Sequence, residues 1–547
     1  MKVTWKKAGL VLTLSAFLAL GAFAADPPIT ISVFQLENFP APPRDNRMYK
    51  LIQDKLGVTF TWDIAVGNKD AKIGVMIASQ DYPDILTIDS NKFIEAGALL
   101  PLEDLVEKYA PNLKRHYQAD PIVWKKMFEK DGHIYALPNY GVVENGQSAT
   151  DFEGPAMFIQ KAVMKEAGYP KITTIDQYFD LIAKYKAKHP KTADGKPTIG
   201  FSILTFDWHI FNLINPPVFL AGFPNDGNGF VDTKTNKYQV HLGSAYAKRW
   251  YKLLNTLNTK GLVDQESFVD NYDQYLAKLT NGQILGMHDQ YWQFSDSQKP
   301  LIAQDKIPLT MMPLPIVFDK ATKPHWRDNP LPNLQRGYGI SNQVSDEKAI
   351  RIIKFLDAQL SEEWQRNLQW GLEGQDYTLG AKGLPVRTET QRAQWRDPTW
   401  RLQNLAELWW YDAPKMEGRF KNGAATSITD NTTEFLPSQK AMDLEIYKAY
   451  GVTNWNEMMD KNPPTNPPWY PAWQISPPDG SPAQLAWKKA EDTYKKFLPK
   501  IILGAPADFE KNWADYTDAL VKTNLKVYED FVQAGINDRI QKFSAKK

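Results

Sequence analysis

GYGISNQVSDEKAIRIIKFLDAQLSEEWQRNLQWGLEGQDYTLGAKGLP, residues Gly337–Pro385, is the stretch on which the fold turns. An apolar strand is predicted around Tyr338–Ile340. Ser345 reads as an N-cap, with Asp346 and Glu347 in the first turn, where negative charge suits the helix dipole. Ala349, Ile352, Ile353, Leu356 and Leu360 recur at helical spacing and give one apolar face. Ser361-Glu362-Glu363 starts a second helix that stops at Gly371. That stop puts Trp370, Glu373 and Tyr377 on a following loop. A strand leading into a capped helix, then a loop with an aromatic and a carboxylate, suits a chain crossing between two lobes.

The loop Trp370-Gly371-Leu372-Glu373-Gly374-Gln375-Asp376-Tyr377 resembles the Tyr/Phe-Gly-x-Glu-Gly-x-x-Tyr loop of extracellular solute-binding proteins of ABC transporters. Other segments are similar to that family in the same order. They are Ser79-Gln80-Asp81-Tyr82-Pro83-Asp84-Ile85, Gly97-Ala98-Leu99-Leu100-Pro101-Leu102, Asp131-Gly132-His133-Ile134-Tyr135-Ala136-Leu137-Pro138 and, near the end, Asp508-Phe509 with Trp513 and Tyr516. The resemblance spans nearly all of the mature chain. It implies an α/β, periplasmic-binding-protein-like fold, with two α/β lobes, a hinge and a ligand cleft between them. It also implies the large oligosaccharide-binding type, similar to alginate- and glycosaminoglycan-oligosaccharide-binding proteins. The partners implied are an oligosaccharide ligand and ABC permease subunits with an ATPase; the chain itself would do no chemistry. A peptide receptor of the same architecture is the alternative within the fold. Gln80 replaces the family's glycine. Ile159-Gln160-Lys161-Ala162-Val163-Met164 replaces its usual Ile-Arg-Lys-Asp-Trp-Leu. Where some relatives carry a calcium loop, Lys188–Gly195 offers one carboxylate, so no calcium and no other cofactor is expected there.

At 547 residues the chain exceeds one ordinary core. Its 43% hydrophobic and 23% charged content suits a soluble globular protein. Lys2, Lys6 and Lys7 precede an apolar run from Ala8 to Leu20, and Ala22-Phe23-Ala24 supplies small residues at a cleavage site. Residues 1–24 therefore read as a secretory signal peptide. The leader holds three lysines and no acid, so the net charge of +1 becomes −2 without it. That balance argues against nucleic acid as a partner. With no cysteine the chain cannot carry a thioether-linked lipid, so a free periplasmic or secreted monomer is expected, not a lipoprotein.

Ile29–Phe34 and Val58–Ile64 read as strands flanking a helix over Asn46–Leu56, a βαβ unit. Met157–Ile159 continues as a strand, Thr174 and Gln177 form a capping box, and Tyr246–Leu257 is an amphipathic helix. Asp226–Asp232 resembles a calcium loop, but Lys237 stands where the closing glutamate belongs, and a β-turn between strands is the better reading. A strand over Gly282–Met287 ends at His288. Asn462–Pro482 holds eight prolines and reads as an extended surface loop, or a rim over a cleft. Two helices close the chain. Residues 25–154 with 340–400 are expected to form lobe 1, and 155–339 with 401–547 lobe 2.

No catalytic motif is present: no Gly-x-Ser-x-Gly, no His-Glu-x-x-His, no phosphate loop, no cysteine. A glycoside hydrolase needs only two carboxylates brought together in space, so it stays as the alternative of another class. The supply of 18 Trp, 24 Tyr and 26 Phe is the strongest compositional feature. Sugar rings pack their C–H faces on aromatic rings and direct hydroxyls to fixed polar partners. Trp208, Asp289, Tyr291, Trp292, Trp326, Arg336, Trp370, Glu373, Trp410 and Tyr411 are the candidate ligand residues, with core packing the competing reading for each aromatic. Trp292 and Trp370 match cleft-facing positions of the family. Arg327 and Arg336 could fork an anionic ligand or make ordinary salt bridges, which leaves the charge of the glycan open.

Overall fold

The structure is a computed structural model that describes residues 26–334 and 336–544. The expected signal peptide lies outside the described residues. The first sheet comprises β1 (Ile29–Gln35), β2 (Val58–Ile64), β3 (Ile85–Ile88), β4 (Leu137–Pro138) and β12 (Gly337–Ile340), in the order β2-β1-β3-β12-β4. β1 runs parallel to β2 and β3, whereas β12 runs antiparallel to β3 and β4. The carboxyl ends of β1, β3 and β4 therefore share one edge with the start of β12. Local chemistry sets the elements. Asn46 caps the helix Arg47–Leu56 by accepting from Tyr49 N, and Gly57 ends it in the left-handed conformation. Ser345 caps Asp346–Gln359 as the sequence predicts, and Ser361 caps Glu362–Trp370.

The second sheet runs β11-β6-β10-β7, from β6 (Pro155–Gln160), β7 (Ile199–Ser202), β10 (Ile284–Gln290) and β11 (Met311–Leu314). β10 is parallel to β7, and β6 is antiparallel to both β10 and β11. The ends of β7, β10 and β11 thus share an edge with the start of β6. β10 continues three residues past the expected Met287, which makes His288 and Asp289 strand residues with buried side chains. β8 (Gly229–Asp232) and β9 (Lys237–Val240) form the hairpin expected there, and Asp226 is buried beside it, accepting from Val231 N at 3.0 Å.

Each sheet has its own apolar core. One gathers Ile31, Val33, Tyr338 and Ile352, the other Met157, Phe158, Leu285 and Met312. Trp409, Met416, Phe420 and Ile428 belong to the first core. The return to the second lobe therefore comes later than residue 400. The cause is Trp409, whose ring packs on Tyr338 and Phe60 at centroid distances of 4.7 and 4.8 Å. Gly337–Gly339 likewise sits in the first sheet, not the second lobe. β13 (Thr378–Leu379) and β14 (Pro385–Val386) pair within this late extension.

Three segments cross between the cores. β5 (Val143–Glu144) pairs in parallel with β15 (Glu417–Gly418). The chain around Leu331 passes so close to Gly141 that a Cβ there would lie 2.4 Å from the Leu331 carbonyl carbon. The proline-rich segment is not a free loop. Trp469 and Tyr470 are buried, and Arg539 donates to the Pro471 carbonyl at 2.6 Å. A third C-terminal helix, Pro482–Leu503, was not anticipated. Its signal was present: Ser481 caps it, proline opens it, and Ala483, Ala486, Ala490, Tyr494 and Leu498 are buried at helical spacing.

Candidate functional site

Open α/β sheets bind ligands beyond the carboxyl ends of their strands. Five exposed aromatic rings lie at those edges. Tyr140 follows β4, Tyr411 sits beside Arg336 just ahead of β12, Phe206 and Trp208 follow β7, and Trp292 follows β10. Trp208 and Trp292 are 52% and 50% exposed, and their ring planes differ by 10° with centroids 6.1 Å apart. Both are held in place. Trp208 stacks on His209 at 3.9 Å, and His209 stacks in turn on Tyr272. Trp292 Nε1 donates to Gln290 Oε1 at 2.8 Å.

On the first-lobe edge, Tyr411 packs on Phe39 at 4.9 Å and lies under the Arg336 guanidinium at 5.1 Å. Arg336 Nε donates to Asp412 Oδ1 at 3.0 Å, and Nη2 donates to Glu37 Oε1 at 3.1 Å. Asp151 and Glu153 lie on the segment entering β6. Both are exposed to water, with protein packed around them. Burial, then Asp430, pushes Asp151 up to about 6. Burial, then Asp151, pushes Glu153 up to about 7. A 40 Å³ cavity beside them is lined by Asp151, Tyr291, Lys161 and Trp455.

The structure places the other sequence candidates as follows. Trp370 is wholly buried; its Nε1 donates to the Thr426 carbonyl at 2.8 Å, because it is the last residue of its helix and faces the first core. Trp326 is buried too, stacked on Phe219 at 4.7 Å with Nε1 donating to the Ile316 carbonyl. Asp289 is wholly buried and accepts from the Tyr275 hydroxyl at 2.6 Å; burial pushes it up to about 7. It fixes the end of β10, just before the helix Tyr291–Ala303 that carries Trp292, by accepting from Gln290 N at 2.8 Å. Tyr291 is half-buried against Phe294. Glu373 is exposed in a tight turn closed by Gly374 N donating to the Tyr377 carbonyl at 2.7 Å. Trp410 lies under the Lys415 ammonium at 5.1 Å and lines a 230 Å³ crevice with Leu368 and Trp395, apart from the Tyr411 ring. The second-lobe edge thus pairs Trp208 with Trp292, and the first-lobe edge pairs Arg336 with Tyr411. Sequence reasoning missed Glu37, Tyr140 and Phe206, although each follows a strand by a few residues, which is the signal that would have found them.

Among the described residues no group of three or more His, Asp or Glu side chains could hold a metal ion. No described helix is long and apolar enough to cross a membrane.

Two sheets, three crossing segments and aromatic rings on both carboxyl edges define a two-lobed binding protein. The chain belongs to the bacterial extracellular solute-binding proteins, whose family profile matches residues 49–375. It is 25% identical over 247 residues to the fructooligosaccharide ABC transporter substrate-binding protein FusA of Streptococcus pneumoniae serotype 4, a match covering 44% of this chain and 45% of the relative. The matched part thus spans about half the length of that relative. Among solved structures, a solute-binding protein associated with a human-milk-oligosaccharide-binding ABC transporter, from Bifidobacterium longum infantis, superimposes with a TM-score of 0.67 at 16% identity, covering 94% of this chain and 99% of that one. FusA with fructo-nystose gives 0.66 at 18% identity over 93% and 99%. The alginate-binding protein AlgQ2 gives 0.60 at 17% identity over 94% and 98%. These likenesses establish the fold.

Proposed function

We propose that this protein captures an oligosaccharide in the cleft between its lobes and delivers it intact to an ABC permease. The observation that carries the reading is the pair of half-exposed, nearly parallel indoles, Trp208 and Trp292, at the strand ends of one lobe, with Tyr140 and Tyr411 at the strand ends of the other. Half-exposed indoles already backed by protein offer flat apolar faces to sugar C–H groups at little cost in ordering. Neighbouring Gln290, Glu37 and Glu153 supply hydrogen-bond partners for ring hydroxyls. The FusA match and the oligosaccharide-binding structural relatives support the same class. Closure of the lobes about the crossing segments would present the loaded form to the permease. The protein acts as a monomer without catalysis, exported by residues 1–24 and free of a lipid anchor.

Isothermal titration of the mature protein against neutral and acidic oligosaccharides and short peptides tests this. Micromolar or tighter binding of a glycan, with no reducing sugar released, supports the reading. Binding of peptides alone, or release of reducing sugar, overturns it.

A further inference from the structure

We infer that the cleft selects uncharged oligosaccharides and rejects uronate-rich ones. This rests on the carbohydrate reading above and adds the ligand's charge to it. The decisive group is Arg336. A guanidinium is the side chain that forks a carboxylate, and Arg336 stands at the first-lobe edge beside an exposed aromatic ring. Two carboxylates already hold it: Nε donates to Asp412 at 3.0 Å and Nη2 to Glu37 at 3.1 Å. Asp412 is wholly buried, and its second oxygen has no hydrogen-bond partner, so Arg336 is the group that balances it. A ligand carboxylate at Arg336 would be a third acid on one cation that already faces two.

The other cations nearby are committed as well. Lys69 pairs with Glu37 at 3.3 Å. Lys415 donates to the Tyr411 carbonyl at 2.7 Å. Arg327 donates to the carbonyls of Asn456 and Asp460 on the second lobe. At Arg336 itself two acids face the one cation. Asp89 follows β3 and lies within the field of Arg336, Lys69 and Glu37. Glu417 lies by Lys415, and Asp151 and Glu153 add two more carboxyls on the crossing segment. Sugar hydroxyls can donate to such carboxylates. A uronate ring brings a further negative charge toward Glu37 and Asp412, which already outnumber Arg336, and the expected loss of affinity is tenfold or more.

The test is titration calorimetry of the mature protein, at low ionic strength, with two panels of matched length. One holds neutral fructo-, gluco- and galacto-oligosaccharides, the other oligomannuronates and oligogalacturonates. The expected result is binding of at least one neutral oligomer and at least tenfold weaker binding of every uronate. The double variant Glu37→Gln, Asp412→Asn releases Arg336 and should narrow that gap at least tenfold, with its melting curve showing that it folds. Glu37→Gln alone, which alters a partly exposed acid, should narrow it in the same direction. A uronate bound as tightly as the best neutral sugar, or an unchanged gap in Glu37→Gln, overturns the charge selection and leaves the carbohydrate reading intact. Failure of both panels overturns both.

Discussion

The indole N–H of Trp370 donates to the carbonyl of Thr426, 56 residues further along the chain, at 2.8 Å. That bond ties the helix Glu362–Trp370 to the late extension of the first lobe, and it closes a cluster in which Tyr377 and Phe420 meet the indole edge-on, each at 5.3 Å. The Arg366 guanidinium covers its face at 4.5 Å. Trp370 is therefore a keystone of the core.

Trp370→Ala should cost about 3–5 kcal/mol of stability, the range for deleting a buried aromatic. Trp292→Ala should leave the melting temperature within a few degrees of wild type and weaken oligosaccharide binding about tenfold, roughly 1.4 kcal/mol. Calorimetric melts and titrations on the two variants separate the roles. Equal melting temperatures would refute the assignment of Trp370 to the core.

Two enclosed histidines should make the fold acid-sensitive. Burial holds His241 down to about 4 and His288 down to about 3, and both side chains are enclosed. Their folded values lie below the unfolded one of about 6.5. The native state thus binds fewer protons, and their contribution is complete above about pH 6.5 and lost as pH falls through those values. Melting temperature should drop between pH 6.5 and 4, and His288→Gln should flatten part of that slope.

Glu153 has the opposite sign. Its folded value, raised to about 7, lies above the ordinary carboxylate range, so the native state holds a proton that the unfolded chain releases. Stability from this group is complete below about pH 4.5 and lost as pH rises through 7. Water access to the side chain makes the effect modest. Glu153→Gln should raise the melting temperature at pH 8 and leave it unchanged at pH 5.

Glu434 is fully enclosed and accepts from Arg387 N and Nε, each at 2.8 Å, and from Arg392 Nε at 3.0 Å. Removing one partner of a buried ionic group costs about 3–5 kcal/mol, because the others keep their desolvation. Glu434→Ala should unfold the extension around β13 and β14 at lower denaturant than the rest of the chain. A single transition at the wild-type midpoint would refute this.

Gly141 has φ +87, and a Cβ there would stand 2.4 Å from both the Leu331 carbonyl carbon and Pro332 N. The left-handed conformation alone costs an alanine about 1–2 kcal/mol, and the crossing segment would have to move as well. Gly141→Ala should lower stability by more than that and alter the ligand-linked closure seen by small-angle scattering. Gly146→Ala carries a similar φ of +93 but has open space around it, and controls for strain alone.

The elements were legible where short-range chemistry decides them. The caps at Thr174, Ser345 and Ser361, the apolar period of Asp346–Gln359, and the hairpin after Asp226 all follow from neighbours within a few residues. The helix Pro482–Leu503 obeyed the same rules and was hidden by its proline-rich approach. The candidate site was legible in part. Trp208 and Trp292 could be placed because each follows a strand end, and strand ends in α/β sheets open onto clefts.

By itself, then, the amino-acid order determined the two-lobed α/β class and the chain positions at which rings and carboxylates leave the strands. Only the tertiary structure decided which of those groups meet solvent and which are consumed inside. Trp292 and Trp370 look alike in sequence, yet one is half exposed and the other enclosed. Arg336 looks free, yet it is held by Asp412 and Glu37, 76 and 299 residues away. The physical reason is that burial and charge pairing are properties of surfaces brought together by folding, and the covering segment leaves no mark beside the residue it covers.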